Sequence, residues 1–428
     1  MVRHGVEQGP ALTLTPRRLL LLALVALAAL PPISLAGPQD RTRYELTRHL
    51  ALHGTIRLEP DLFDRAVYGG RTYADKAPGL SVAAIPAFEL ERAAGIAMAP
   101  HDWHAEGDGS LWLIRVLSSG VFFLVAVGIV LWLAGDVAAA AFGVATLAAP
   151  LAPTFFEHDA AGALAIAAFA LLVRCRGRPR LAAAGLLAGA AVCTSYQTAL
   201  IVVLLLGYAG WRHRRAVGWF VLGLVPPAVA LGTYDWIAFG SPFHLSYRYI
   251  ANRFAERQHG GFFGIGVPTF HGIVDVLVGS RGLLVWSPVC LAAAVGLVLA
   301  RRRPELIVAA LVVVAFVLVD AGYFLPYGGG SPGPRFLGAS LPFLALGIPP
   351  VLERFRRPTL ALLVVSAVTM TVQALSWGVR SEHSTAYLPK RSDVMATIWS
   401  VAGVNRNVAA LVVLACALAA VAVSVVRR

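Results

Sequence analysis

Residues 16–44 read PRRLLLLALVALAALPPISLAGPQDRTRY, and this stretch decides the fold class. Arg17 and Arg18 precede an apolar run over 19–36, and Asp40 stands just beyond its far end. A basic pair followed by such a run reads as a membrane span entered from the cytoplasm, because Lys and Arg are retained on that side. Ser34-Leu35-Ala36 resembles a small-residue processing site. The run is read as a retained span, since cleavage would place Asp40 almost at a new N-terminus and leave an odd set of spans.

The rest of the chain repeats this pattern. Hydrophobic residues make up 58% of 428, charged residues only 14%, and the mean hydropathy is +0.71. That is too apolar for a soluble protein of this size, so the chain reads as an all-α polytopic membrane protein. Further spans are expected near 111–134, 137–154, 159–173, 181–195, 197–211, 216–238, 281–300, 305–325, 336–351, 358–377 and 408–426, giving about twelve crossings of roughly 20 residues each. Residues 1–428 then form one membrane domain, with outer loops at 38–109, 239–280 and 378–407.

Arginine blocks at Arg17-Arg18, 174–180, 212–215, 301–303, 354–357 and Arg427-Arg428 all fall on the inside when crossings alternate from a cytoplasmic N-terminus. Both termini are therefore placed in the cytoplasm. The net charge of +13 carries no nucleic-acid signal, because no basic patch is interleaved with exposed aromatics. The outer loops nevertheless carry Arg41, Arg43, Arg48, Arg57, Arg71, Lys76, Arg248, Arg253 and Arg335. They attract either an anionic substrate or anionic lipid headgroups. Cys193, Cys290 and Cys416 lie inside apolar runs and Cys175 in an inner turn, with neither zinc nor disulfide spacing.

Within 38–109, residues 40–52 alternate charges with Tyr44, Leu46, Leu50 and Leu52 and end before Gly54. This predicts an amphipathic helix along the membrane surface, N-capped by Asp40. Residues 78–97 are apolar but carry Glu89, Glu91 and Arg92, which suits a second interfacial or re-entrant helix.

Candidate chemistry gathers on the outer side. Asp40 is placed to accept a proton from a hydroxyl, or it is a helix cap and nothing more. Lys76, one of only two lysines, precedes a Pro-Gly turn into an apolar helix. There it either grips phosphate or pairs with Asp75 in a solvated loop. Glu157-His158-Asp159 opens a span and suits sugar hydroxyls, a divalent cation, or simple capping. Arg335 closes the glycine-rich turn 328–335 and either clamps phosphate or snorkels to headgroups. His101-Asp102-Trp103-His104 reads as a solvated loop rather than a metal motif.

Taken in order, an Asp soon after the first span, Tyr73-Ala74-Asp75-Lys76-Ala77-Pro78-Gly79, the His158-Asp159 rim, Arg281-Gly282-Leu283-Leu284 and the Gly-Gly-x-x-x-Gly-Pro-Arg turn ending at Arg335 resemble the polytopic GT-C glycosyltransferases. Protein O-mannosyltransferases and lipid A aminoarabinose transferases are the similar groups. The resemblance implies a polyprenyl-phosphate sugar donor, a glycan, lipid or protein acceptor, and transfer with inversion on the outer face. It implies Asp40 as the base or acceptor-orienting carboxylate, Lys76 and Arg335 on the donor phosphate, and Asp159, His158, Glu157 and Tyr44 as sugar or acceptor contacts. No cofactor is implied.

The chain departs from the family pattern where Gln39-Asp40-Arg41 replaces an Asp-Glu pair and Lys76-Ala77-Pro78 replaces Lys-Pro-Pro. The large C-terminal outer domain of many relatives has no counterpart either, which leaves the acceptor open. A secondary transporter would show two similar halves with interrupted midplane helices, and neither is visible. A flippase for lipid-linked sugar would tolerate loss of Asp40. The Ala, Arg and Val bias points to a bacterium with a GC-rich genome, hence its plasma membrane.

Overall fold

A computed structural model describes residues 14–34, 37–96, 111–174, 177–376 and 394–426. The expected loop at His101-Asp102-Trp103-His104 and most of 378–407 lie outside these residues. The first apolar run folds as α1 (Pro16–Ala29), with the Thr15 hydroxyl capping its start. Arg17 and Arg18 ion-pair with Asp136 at 3.2 and 3.0 Å, and Arg17 also donates to the Val423 and Ser424 carbonyls. The two described ends of the chain therefore meet at one end of the bundle.

From α1 the chain runs into α2 (Pro38–His53), a hairpin of β1 (Arg65–Tyr68) and β2 (Arg71–Ala74), then α3 (Gly79–Ala83) and α4 (Ile85–Ala93). The strands pair antiparallel, with Arg65 opposite Ala74, so the all-α expectation misses one small sheet. A pair of glycines, Gly69 and Gly70, makes its two-residue turn with φ of 55° and 73°, the twist that tight hairpins require.

The membrane helices that follow are α5 (Trp112–Ala134, with one π turn), α6 (Asp136–Ala145), α7 (His158–Arg174), α8 (Arg178–Thr194), α9 (Ala199–Arg212) and α10 (Val217–Phe239). After a long connection come α11 (Phe270–Val278), α12 (Val289–Leu299), α13 (Pro304–Gly322), α14 (Arg335–Arg354), α15 (Arg356–Ala374) and α16 (Arg406–Val425). Every expected apolar run contains helix, but about twelve full crossings are not shown. Among the described residues six helices are long and apolar enough to cross, namely α5, α10 and α13 to α16, or seven if the segment from α11 through α12, bent by 102°, counts as one. The reason is length. Helices such as α6, of 10 residues, and α9, of 14, fall short of the roughly 20 that a straight crossing needs.

The helices pack through small residues, as membrane interfaces require when lipid supplies no hydrophobic drive. A Cβ on Gly185 would sit 1.9 Å from the Phe220 carbonyl, and one on Gly223 2.0 Å from the Ala182 carbonyl, so α8 and α10 touch backbone to backbone. The outer flank of α10 shows the lipid-facing counterpart: Val229 and Ile237 are 61% and 66% exposed. This is an integral membrane protein.

The expected surface helix α2 turns out to be buried on its polar side. Gln39, Asp40, Thr42, Arg43 and Thr47 are enclosed along with Tyr44 and Leu46, because Asp40 and Arg43 find partners in the segment leading into α7, Gln39 accepts from Arg43, and Thr42 and Thr47 donate to the Asp64 and Ser81 carbonyls. The N-cap also shifts from Asp40 to Gly37. Pro38 fits the first helical position, and Asp40 accepts from the Gly37 N–H at 3.0 Å from the third.

On α4, Glu91 is 2% exposed and its Oε1 has no hydrogen-bond partner among the described residues. Burial pushes its carboxyl up to about 7, against a smaller downward pull from the backbone at Ile114. The folded chain thus keeps a proton that the unfolded chain releases near 4.5, so stability falls as pH rises from there to about 7 and stays lower above. Glu91→Gln should flatten this dependence and stabilise the protein at pH 8 by roughly 1–3 kcal/mol. Unfolding curves at pH 5 and pH 8 check it.

Candidate active site at the end of the bundle opposite Arg17

Three segments converge at the end of the bundle opposite Arg17: the start of α2, residues 155–159 leading into α7, and the start of α14. Asp40 is 2% exposed and engaged on both oxygens. Its Oδ1 accepts from the Phe155 N–H at 2.9 Å and ion-pairs with Arg115 at 3.0 Å, while Oδ2 takes the Gly37 N–H. Arg115 is itself tied to the Ser34 carbonyl at 2.7 Å, which anchors the end of α1 to α5. Only the second lone pair of Oδ2 is left for a ligand hydroxyl.

One turn along α2, Arg43 forms a buried ion pair with Glu157 and donates to the Phe155 carbonyl and Gln39, each at 3.1 Å. Glu157 is therefore held by Arg43. Asp159 is 3% exposed, and neither of its carboxylate oxygens has a hydrogen-bond partner among the described residues. His158 meets the Phe336 ring edge-on at 5.6 Å, and its Nε2 has no partner there either. Among the described residues no three His, Cys, Asp or Glu groups gather as metal ligands.

Arg335 is 7% exposed, with its guanidinium 4.4 Å over the Phe156 ring and 5.4 Å from that of Phe336. Its Nε has no hydrogen-bond partner among the described residues. Such stacking favours a cation that still needs an anion in its plane. The glycine-rich turn behind it is fastened by Arg281, which donates to the Gly329 and Ser331 carbonyls at 3.0 and 3.1 Å.

Lys76 ion-pairs with Asp75 and lies 5.7 Å from the Tyr247 ring centroid. The close approach is set by Gly79, where a Cβ would fall 2.6 Å from the Cys193 carbonyl, so only glycine lets this turn dock on α8. Burial works against the Lys76 ammonium, but Asp75 and Asp64 outweigh it and push its pKa up, so it stays charged. Burial and then the charge of Asp75 push Asp64 up to about 6, while Lys76, Arg335 and Arg43 pull it down. Lys76 and Arg335 thus both bear on one carboxylate, that of Asp64.

Tyr44 is placed elsewhere. It is 1% exposed in an apolar cluster with Leu80, Phe88 and Ile114, its ring edge-on to Phe88 at 5.9 Å, and packing accounts for it. Sequence reasoning gave no individual role in the site to Arg43, Arg115, Asp64, Asp235 or Asp320. The last two are carboxylates inside apolar runs, a signal visible in the sequence. The partners of Arg43 and Arg115 depend on tertiary packing and left no such mark.

No family model matches the chain, and no curated protein matches it in sequence. Its structure is similar to that of ArnT from Cupriavidus metallidurans bound to undecaprenyl phosphate, with a TM-score of 0.55 at 16% identity over 81% of this chain and 61% of that one. It is also similar to the archaeal oligosaccharyltransferase AglB from Archaeoglobus fulgidus, in complex with an inhibitory peptide and a dolichol-phosphate. There the TM-score is 0.53 at 12% identity, over 88% of this chain and 56% of that one. The fold is that of the GT-C glycosyltransferases. The chain spans about three fifths of the length of these proteins.

Proposed function

We propose that the protein is a glycosyltransferase of the bacterial plasma membrane that moves a sugar from a polyprenyl-phosphate donor to an acceptor hydroxyl on the outer face. The observation that carries this reading is the pair of cations Lys76 and Arg335, which both bear on the Asp64 carboxylate, with a buried guanidinium donor of Arg335 that has no hydrogen-bond partner among the described residues. Two cations in a largely dry site suit a phosphate that gains charge as it leaves. ArnT bound to undecaprenyl phosphate and AglB with a dolichol-phosphate lend the lipid class.

In this reading Lys76 and Arg335 hold the phosphate, and the acceptor oxygen attacks the anomeric carbon from the opposite side. The sugar is inverted and polyprenyl phosphate departs as an anion. Asp40, through the free lone pair of Oδ2, orients the acceptor hydroxyl and takes its proton. Asp159 and His158, with unmatched buried atoms, supply further acceptor or sugar contacts, while Glu157 positions Arg43.

Arg335→Ala tests the phosphate grip. Hydrogen bonds to charged groups contribute about 1.5–3 kcal/mol, so affinity for polyprenyl phosphate should fall about ten- to a hundredfold. Titration of the purified chain with polyprenyl phosphate measures it. Equal affinity in Arg335→Ala would remove this residue from the site.

A further inference from the structure

The outer end of α10 holds a second polar nest that the phosphate grip does not use. Asp235 is 1% exposed, and neither of its carboxylate oxygens has a hydrogen-bond partner among the described residues. The Tyr234 hydroxyl and Oδ1 of the fully buried Asp75 also lack one. Folded proteins leave few such atoms, and a carboxylate inside a membrane helix is costly enough to mark function.

Packing places this nest beside Lys76. Asp235 precedes Phe239 by one helical turn, so both lie on one face of α10. The Phe239 ring packs on Tyr73 at 5.5 Å and stacks on Tyr249 at 5.1 Å, and Asp75 and Lys76 directly follow the end of β2 at Ala74. Tyr234 itself packs against the cluster of Ala66, Tyr73 and Phe239. Tyr196 stands 3.4 Å from the Ser246 hydroxyl, which donates to the Asp75 carbonyl at 2.9 Å. Its ring meets Tyr247 edge-on at 5.2 Å, the same ring that lies near the Lys76 ammonium.

The chemistry of the nest differs from that of the Arg335 side. Its unmatched carboxylate oxygens are acceptors, so its ligand must bring several donors. They repel a phosphate, whereas sugar hydroxyls supply the missing O–H groups. The rings of Tyr196 and Tyr247 add apolar surface for the C–H faces of a pyranose or furanose. We infer that Asp235, Tyr234 and Oδ1 of Asp75 bind the hydroxyls of the transferred sugar, with Lys76 between that pocket and the donor phosphate. This rests on the proposed donor class, and it leaves the Asp159 side to the acceptor.

The test compares two ligands on the purified full chain in lipid nanodiscs: bare polyprenyl phosphate, and a panel of polyprenyl-phosphate pentoses and hexoses. Wild type should bind the cognate sugar-bearing lipid more tightly than the bare one. Asp235→Asn should leave bare polyprenyl phosphate affinity unchanged and weaken the sugar-bearing donor by roughly ten- to a hundredfold. Tyr234→Phe, which removes one oxygen and serves as the test if Asp235→Asn fails to fold, should show a smaller loss of the same kind. Lys76→Ala should weaken both ligands. If both α10 variants keep the full preference for the sugar-bearing lipid while Lys76→Ala loses affinity, the pocket assignment is overturned and the phosphate reading survives. If wild type binds neither lipid, the donor reading falls and takes the pocket with it.

Discussion

Asp40→Asn should lower the turnover number about 10²- to 10⁴-fold, the usual contribution of a positioned general base, with the donor KM little changed. An amide oxygen at the Oδ1 position keeps the Phe155 N–H and the Arg115 guanidinium but sets the N–H₂ against the Gly37 N–H, and the flipped amide sets it against both Phe155 and Arg115, all of which are donors. Some loss of stability is therefore expected as well. The two effects separate when turnover is referred to the number of donor-binding sites. A residue that only caps α2 lowers the number of folded sites and leaves turnover per site unchanged. A residue that orients the acceptor lowers turnover per site.

Arg43→Met should be the most destabilising single change in the site, at about 3–5 kcal/mol, because Glu157 is left as a buried carboxylate without its ion-pair partner. The Phe155 carbonyl and Gln39 lose their donor in the same step. Adding Glu157→Gln should recover much of the loss, since an uncharged side chain no longer needs the guanidinium. Thermal unfolding of the single and double variants in detergent measures this. A double variant no more stable than Arg43→Met would show that Arg43 acts through packing rather than through the pair.

The membrane class was legible because apolar runs and arginine blocks obey a simple transfer rule, and Arg17, which donates to the Val423 and Ser424 carbonyls, holds the two described chain ends at the same end of the bundle. The number of crossings was less legible. Hydropathy sees apolar runs, while the turns at Gly135 and Ser195 and the bend before α12 cut those runs into helices shorter than a crossing. The two-residue Gly69-Gly70 turn marks the β1–β2 hairpin in the sequence, yet the charged residues around it read as loop.

At the site, sequence order alone singled out Asp40, Lys76, the 157–159 rim and Arg335, and the fold brings the first turn of α2, the rim and Arg335 to one end of the bundle. Tyr44 was drawn in by its neighbours on a helix expected to lie on the surface; burial of that helix turns it into core. Arg43 and Arg115 were passed over for the opposite reason. On a helix expected to lie along the surface Arg43 reads as surface charge until the carboxylate it meets is known, and Glu157 lies 114 residues away along the chain, just as the Asp40 partner of Arg115 is not visible from its place in an apolar run.

Sugar transfer itself is measured most directly by incubating the purified chain with a radiolabelled panel of polyprenyl-phosphate monosaccharides and following release of sugar and of polyprenyl phosphate, with Lys76→Ala beside wild type. Wild-type turnover on at least one donor, strongly reduced by Lys76→Ala, is the predicted result. Binding of the donors without turnover across the panel would contradict it, and would favour a protein that carries lipid-linked sugar across the membrane without breaking the glycosidic bond.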